Sequence, residues 1–512
     1  MKRLPQGLRR AVLAITLLAV ARTATVAQTI DSAAVDAAVQ ESLAAWRVPG
    51  VAVAIVQGDE VVYLKGAGVK EVGGDRPVTP DTLFAIGSNT KAFTTAAMAI
   101  MVDEGKMNWD DPVRQHIPFF RLAEPFADQN VTLRDIVCHR TGLSRNDLLW
   151  YGSPWGREEI IRKIGFVKPS KPFRYTYQYQ NIMFLTAGYA VGLVARTSWE
   201  EFVQRRIFEP LGMTAANFST AAAETAPDHA APHRKNKQDV VEAIGWRNID
   251  NIGPAGSINA SVRDLTKWVR LQLGDGMFEG RRIVSAANLV ETRTPQMVIR
   301  LEGPVKAYNP DTDIMSYGMG WIIQDYRGHT LVSHGGAIDG FRARIVLVPR
   351  AKLGIIVLSN LGQTQMPEAL SNNITDLMLG LPKKDWNGYL IEQLKKMDEE
   401  QKARDRERDA KRQKDTRPSR DLAAYAGVYE DPGYGKVTIS VEDRSLFVQW
   451  SAFKSKLEHY HFDTFSATGD NPLEGERVLF TLGSDGEITG LTFLGVDFKR
   501  SKPKSAAAPA SR

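Results

Sequence analysis

Cysteine is almost missing from this chain of 512 residues: Cys138 stands alone, which excludes an intramolecular disulfide. Beyond the N-terminus no apolar run reaches the ~20 residues that a membrane-spanning helix needs. No Gly-x-Ser-x-Gly is present to form the nucleophile elbow of an α/β-hydrolase, and no His-Glu-x-x-His to hold a catalytic zinc. The eight histidines are scattered apart from His229/His233 and His459/His461, which read as loop and strand surface residues. No metal site and no cofactor is therefore expected. An excess of one charge sign is also missing. The net charge is +6, but Lys2, Arg3, Arg9, Arg10 and Arg22 carry five of those charges before residue 28, leaving a nearly neutral body with no reason to bind nucleic acid or a membrane surface.

The N-terminus reads as a secretory signal over residues 1–27. Met1–Arg10 is basic, Ala11–Val20 is apolar throughout, and small residues at Ala24 and Ala27 place cleavage before Gln28. A secreted or periplasmic protein is expected, with no integral membrane association and its oligomeric state left open. Cys138 lies in an expected helix capped by Thr132, with Asp135 at the third position and Gly142 past its end, and reads as a small core residue.

Two β-rich runs, Gly50–Val56 and Glu60–Leu64, flank Gly58-Asp59 as a hairpin. Further strands fall at Gly320–Tyr326, Thr330–His334, Arg344–Pro349 and Gly354–Ser359, and a helix at Gln365–Met378. The stretch between is helical in pattern, most clearly from Ser88 to Asp103, with Phe93, Ala97, Ile100 and Met101 as its apolar face and Gly105 closing it. The fold class that follows is α/β (α+β): one antiparallel sheet built from both ends of residues 28–381, flanked by helices, with a helical subdomain inserted. Residues 382–420 read as a charged helical linker. Residues 421–500 alternate strands and turns as a small all-β barrel, with Tyr460, Phe462 and Phe465 in its core, and 501–512 as a disordered tail.

Ser88-Asn89-Thr90-Lys91 is a Ser-x-x-Lys at the start of the clearest helix. The serine sits at the positive end of the helix dipole and the lysine one turn on faces it. A lysine kept from water there loses proton affinity and can accept the serine proton. Ser451…Lys454 and Ser501…Lys504 match the pattern but open no helix. Tyr179-Gln180-Asn181 precedes an apolar helix, Ile182–Leu193: the phenol beside cations suits a phenolate relay, and the amide suits a substrate carbonyl. His334-Gly335-Gly336-Ala337 ends a strand whose glycines would let a substrate lie along its edge, with the Ser88 and Ala337 amides as an oxyanion hole.

Ser-x-x-Lys, Tyr-x-Asn and a basic residue-x-Gly, in this order, resemble the serine β-lactamase and penicillin-binding protein superfamily, most closely the class C β-lactamase-like serine peptidases (S12 type) and esterases. VTLRDIVCHRTGL (131–143), GPAGSINASVRDLTKW (253–268) and SHGGAIDGFRARIVLVP (333–349) carry the same resemblance over about 45–380. The β domain is similar to the lipocalin-like domain of an archaeal D-amino-acid-specific peptidase of this group. The resemblance implies Ser88 as nucleophile, Lys91 as general base, Tyr179 as proton shuttle, and Asn181, His334 and Gly336 as substrate contacts, acting on a small molecule or short peptide. His334 stands where the lactamases have a lysine, which weakens the case for β-lactam hydrolysis but leaves amide and ester cleavage intact. A class C-type β-lactamase is one alternative; a non-catalytic ligand-binding or sensor protein on the same scaffold is the other.

Overall fold

The computed structural model describes residues 31–501, so the signal-like segment and the tail from residue 502 lie outside the described residues. The expected hairpin is β1 (Gly50–Gln57) and β2 (Glu60–Gly68). The later strands are β3 (Met297–Val298), β4 (Met315–Tyr317), β5 (Ile322–Tyr326), β6 (His329–Ile338), β7 (Phe341–Val348) and β8 (Leu353–Ser359). They make one antiparallel sheet in the order β2-β1-β8-β7-β6-β5-β4-β3, with β1 against β8 joining the two ends of the domain.

Six helices position the rest: α1 (Ser32–Trp46), α2 (Thr90–Asp103), α3 (Asn181–Ala195), α4 (Val262–Leu273), α5 (Met366–Met378) and α6 (Trp386–Ala410). Side chains alternate across a strand, so β1 sends Ala52, Ala54 and Val56 to the core holding α2, α3 and α4. Val51, Val53 and Ile55 go to the core holding α1, α5 and the start of α6. A sheet covered on both faces needs unbroken apolar runs, and GVAVAIV and LGIIVLS are such runs.

Two helices depart from their sequence reading. α2 has no exposed face: every residue from Thr90 to Met101 is buried, Lys91 included, because the helix runs through the middle of the domain. Trp268 of α4 stacks on its Phe93 at 3.9 Å between ring centroids. The Cys138 helix does begin with the Thr132–Asp135 capping box, but it spans only Leu133–Val137. His139, at φ 58°, turns the chain out of the helix before Gly142. Cys138 is fully buried, and burial pushes its thiol up to about 12. His233, read as a surface residue, is also buried, accepting from Val72 N–H and bonded to the Asn360 carbonyl.

The C-terminal domain is a closed eight-stranded barrel: β9 (Gly427–Asp431), β10 (Gly435–Glu442), β11 (Ser445–Trp450), β12 (Phe453–His461), β13 (Thr464–Thr468), β14 (Arg477–Leu482), β15 (Ile488–Phe493) and β16 (Val496–Arg500). Phe465 is in its core as expected, whereas Phe462 sits exposed in a turn at φ 44°. The linker helix α6 is anchored at its start, where Trp386 donates to Asp376 at 2.8 Å, and only its later, charged turns face solvent.

Candidate active site

Ser88 lies in a 3₁₀ turn, Gly87–Asn89, that leads directly into α2. Three residues on, the Lys91 amine reaches back to it: Nζ is 2.9 Å from Ser88 Oγ. The same nitrogen is 2.8 Å from the Ala255 carbonyl and 2.8 Å from Asn181 Oδ1. A backbone carbonyl can only accept, and Asn181 presents its oxygen because its Nδ2 donates to Asp147 at 2.8 Å. Burial, with the Arg145 cation adding to it, holds the Lys91 pKa well below the ordinary lysine range, while Asp147 opposes the shift. A neutral amine has two hydrogens and one lone pair. With both hydrogens given to Ala255 and Asn181, the lone pair points at Ser88.

Tyr179 donates its hydroxyl to Ser88 Oγ at 2.7 Å. Burial raises its pKa, and the Ser88 bond and Arg145 only partly oppose this, so the resting group is a phenol. The phenolate suggested by its cationic surroundings is not the form this environment favours. Arg145 lies over the ring at 5.1 Å and is paired with Asp147, while His139 packs on it at 4.4 Å. His139 accepts the Gln180 N–H on Nδ1 at 3.0 Å, so the ring that supports Tyr179 also fixes the backbone entering α3. The roles of Arg145, Asp147, His139 and Ala255 could not be read from spacing, because tertiary neighbours set them: Arg145 and His139 lie on Tyr179, Ala255 accepts from Lys91, and Asp147 holds Asn181.

β6 approaches the Ser88 turn closely enough that a Cβ on Gly336 would lie 1.9 Å from the Ile86 carbonyl oxygen. The two-residue turn Asp339-Gly340 makes Ile338 and Phe341 the closing pair of the β6–β7 hairpin. Antiparallel alternation then leaves Ala337, opposite Arg342, with its N–H turned away from β7. A Cβ on Gly87 would lie 2.6 Å from that nitrogen, so the Ala337 amide faces the Ser88 turn.

His334 is placed differently from a substrate contact, whereas Asn181 borders the cavity in front of Ser88. The Asn181 oxygen is engaged by Lys91 and one Nδ2 hydrogen by Asp147, which leaves the second Nδ2 hydrogen uncommitted. His334 is buried: its Nδ1 must donate to the Gly335 carbonyl at 2.6 Å, and its Nε2 accepts from Tyr317 OH at 3.1 Å. Burial lowers its pKa to about 3, with Lys91 adding to the effect, so it is neutral and has no free nitrogen. Gly336 serves close approach. Ser451 and Lys454 hold no dyad, since Ser451 donates to the Gly152 carbonyl and Lys454 pairs with Glu442; Lys504 of the third match lies outside the described residues.

The serine opens into a cavity of about 780 Å³. One wall comes from the barrel, whose Phe453, Asp470, Asn471 and Pro472 line it together with Trp150, Tyr151 and Trp246. Phe453 stacks on Tyr151 with ring centroids 5.9 Å apart and planes 14° from parallel. Tyr434 accepts from Asn146 at 2.7 Å, and Asp470 pairs with Arg234 at 2.8 Å. The barrel thus forms part of the cavity. Among the described residues no cluster of three His, Cys, Asp or Glu is arranged to hold a metal ion.

A serine, lysine and tyrosine gathered at the start of a central helix, beside the edge of a helix-covered antiparallel sheet, define the β-lactamase/transpeptidase-like class. The chain belongs to the beta-lactamase family, whose model matches residues 35–377; residues 411–504 match a domain of unknown function, DUF3471. It is similar to an unguisins hydrolase of Aspergillus violaceofuscus, 28% identical over 475 residues, covering 84% of this chain and 82% of the relative. It is also 23% identical to protein flp of Staphylococcus aureus over 352 residues, 67% of this chain and 66% of that one. Among solved structures, an octameric penicillin-binding protein homologue from Pyrococcus abyssi superposes with a TM-score of 0.61 at 23% identity, over 92% of this chain and 100% of that one. A D-amino acid amidase from Ochrobactrum anthropi gives 0.56 at 22%, over 68% and 97%. These likenesses show the fold.

The two charges beside Lys91 give opposite predictions. Arg145→Gln removes a repelling cation and unpairs Asp147, so the Lys91 pKa rises and the acid limb of the kcat/KM–pH profile moves to higher pH. Asp147→Asn moves it lower. Limbs that stay put, or move the same way, would mean that Lys91 is not the titrating base. For the wall, Phe453→Ala is expected to raise the turnover of esters with bulky acyl groups relative to small ones, with little change in the rate of labelling by a small fluorophosphonate; an unchanged ratio would remove Phe453 from the substrate's path.

Proposed function

We propose that this chain is a serine hydrolase cleaving amide or ester bonds of small peptides or related substrates through an acyl-enzyme on Ser88. The observation that carries the reading is the hydrogen-bond pattern at Lys91, which leaves its lone pair facing the serine hydroxyl. Lys91 takes the Ser88 proton as Oγ attacks the substrate carbonyl. The Ser88 and Ala337 N–H groups receive the developing oxyanion. Tyr179, already a proton donor to Oγ, protonates the departing amine or alcohol, and the proton held on Lys91 restores the phenol. Water then attacks the acyl-enzyme with the same groups returning a proton to Ser88. The hydrolase and amidase names of the relatives support this class of reaction. The β-lactamase alternative loses support at His334, which is neutral and enclosed where the resemblance implies a cation, and the ligand-binding alternative leaves the paired donors and acceptors at Ser88 without a use. The N-terminal signal pattern supports an exported protein, secreted or periplasmic.

Ser88→Ala should abolish covalent labelling by a fluorophosphonate; labelling that persists, or moves to Ser451, would sink the mechanism. Tyr179→Phe should lower the rate by roughly 10²–10⁴-fold, the usual scale for acid–base catalysis. Tyr175→Phe should be nearly silent, because that side chain is exposed. Tyr177→Phe, packed on His139 and Tyr317, should act on stability rather than on rate. Equal rate losses at all three would assign Tyr179 to packing.

A further inference from the structure

Four arginines line the cavity in front of Ser88: Arg145, Arg234, Arg247 and Arg342. Three are neutralised. Arg145 is paired with Asp147, Arg234 with Glu242 and Asp470, and Arg247 with Asp339 at 3.3 Å. Arg342 has no acid within ion-pair distance among the described residues; its only hydrogen bond is Nη1 to the Phe341 carbonyl at 3.0 Å. The nearest acids are committed elsewhere. Glu368 of α5 pairs with Arg344 at 3.2 Å, and Asp339 accepts from Tyr151 as well as Arg247. A half-buried guanidinium without a counter-charge is costly to hold. Of the four arginines it is the one with no acid in ion-pair distance among the described residues.

Its position relates it to the reacting centre. Arg342 lies directly across the β6–β7 ladder from Ala337, whose N–H faces the serine turn. Directly opposed residues point to the same side of a sheet, so Arg342 shares a face with Ala337 and lines the same cavity as Ala337 and Ser88. This is the α5 side of the sheet, one strand away from buried His334.

We propose that Arg342 is the anchor for a carboxylate carried by the substrate, and that the barrel, through Asp470, keeps Arg234 from acting as a second one. The proposal deepens the acyl-enzyme reading and rests on it. It selects peptides, or related amides and esters, with one free carboxylate close to the scissile bond. It also gives the domain of unknown function a role, setting the charge of the cavity as well as closing its wall.

The test uses the full chain and pairs of dipeptide substrates that differ only in a C-terminal carboxylate or carboxamide. The wild type should prefer the acid. Arg342→Gln should cost about 10–100-fold in kcat/KM on the acid, the scale of a charge-assisted hydrogen bond, mainly through KM, and should change the amide little. Arg342→Lys should recover part of the loss, and Asp470→Asn should raise the relative turnover of substrates bearing a second carboxylate. Equal losses on acid and amide in Arg342→Gln, or no preference in the wild type, would overturn the proposal. Fluorophosphonate labelling of the wild type reads the catalytic centre separately. If it fails, the acyl-enzyme reading falls, and calorimetric binding of the dipeptide acid to wild type against Arg342→Gln still decides the carboxylate site, equal affinities refuting it.

Discussion

An amine with no exposed surface, fixed between two acceptors that cannot donate back to it, is the constraint on which this site depends. Holding Lys91 charged there would require removing an ammonium ion from water with no carboxylate in direct contact. Neutrality is the cheaper state, and it is also the state in which the nitrogen can accept a proton. The surrounding structure enforces it. α2 is buried on all sides, the Ala255 carbonyl is brought in by the segment before α4, and Asn181 is oriented by Asp147. The distant Arg145–Asp147 pair then tunes the amine without touching it.

The same logic explains why His334 and Gly336, expected to meet the substrate, turn out to be structural. Asn181 orients Lys91 through its oxygen, held that way by one N–H on Asp147, and keeps its second N–H at the cavity. His334 can let β6 pass so near to a buried amine only if it is neutral, and donation to its own neighbouring carbonyl with acceptance from Tyr317 enforces that. Gly336 allows the approach by having no Cβ. Recognition is left to the cavity rim, where a third strand face and the barrel contribute.

What was legible in the sequence follows from how local each signal is. The β1–β2 hairpin, the continuous strands β7 and β8, and the helix beginning at Ser88 are written in periodicity and turn residues and appear nearly at their expected bounds. Ser88 and Lys91 are legible because one helical turn joins them; Tyr179 is legible as a phenol leading into an apolar helix, and the resemblance set it apart from Tyr175 and Tyr177. Individual barrel strands were less so. β12, for instance, reads FKSKLEHYH, with Ser455 pointing inward and two histidines at its end, which breaks the apolar alternation a strand is recognised by. Arg145, Asp147, His139 and Arg342 were invisible for a different reason. Their roles are set by neighbours up to hundreds of residues away, and no spacing rule reaches that far.

The barrel's part in the cavity is the clearest case of such non-local design. Phe453 is an ordinary strand-edge aromatic until Tyr151 stacks on it, and Asp470 an ordinary loop acid until Arg234 meets it. Tyr151 in turn donates to Asp339, in the hairpin turn directly beyond the Ala337 amide. Barrel, wall and oxyanion strand are therefore linked by one stack and one hydrogen bond. A change in how the barrel docks would be felt at the turn before it reached the nucleophile, because Ser88 and Lys91 are held directly by α2 and the Ala255 carbonyl. The barrel reaches the amine only indirectly, through Tyr434 on Asn146, which lies between the Arg145 and Asp147 that tune Lys91.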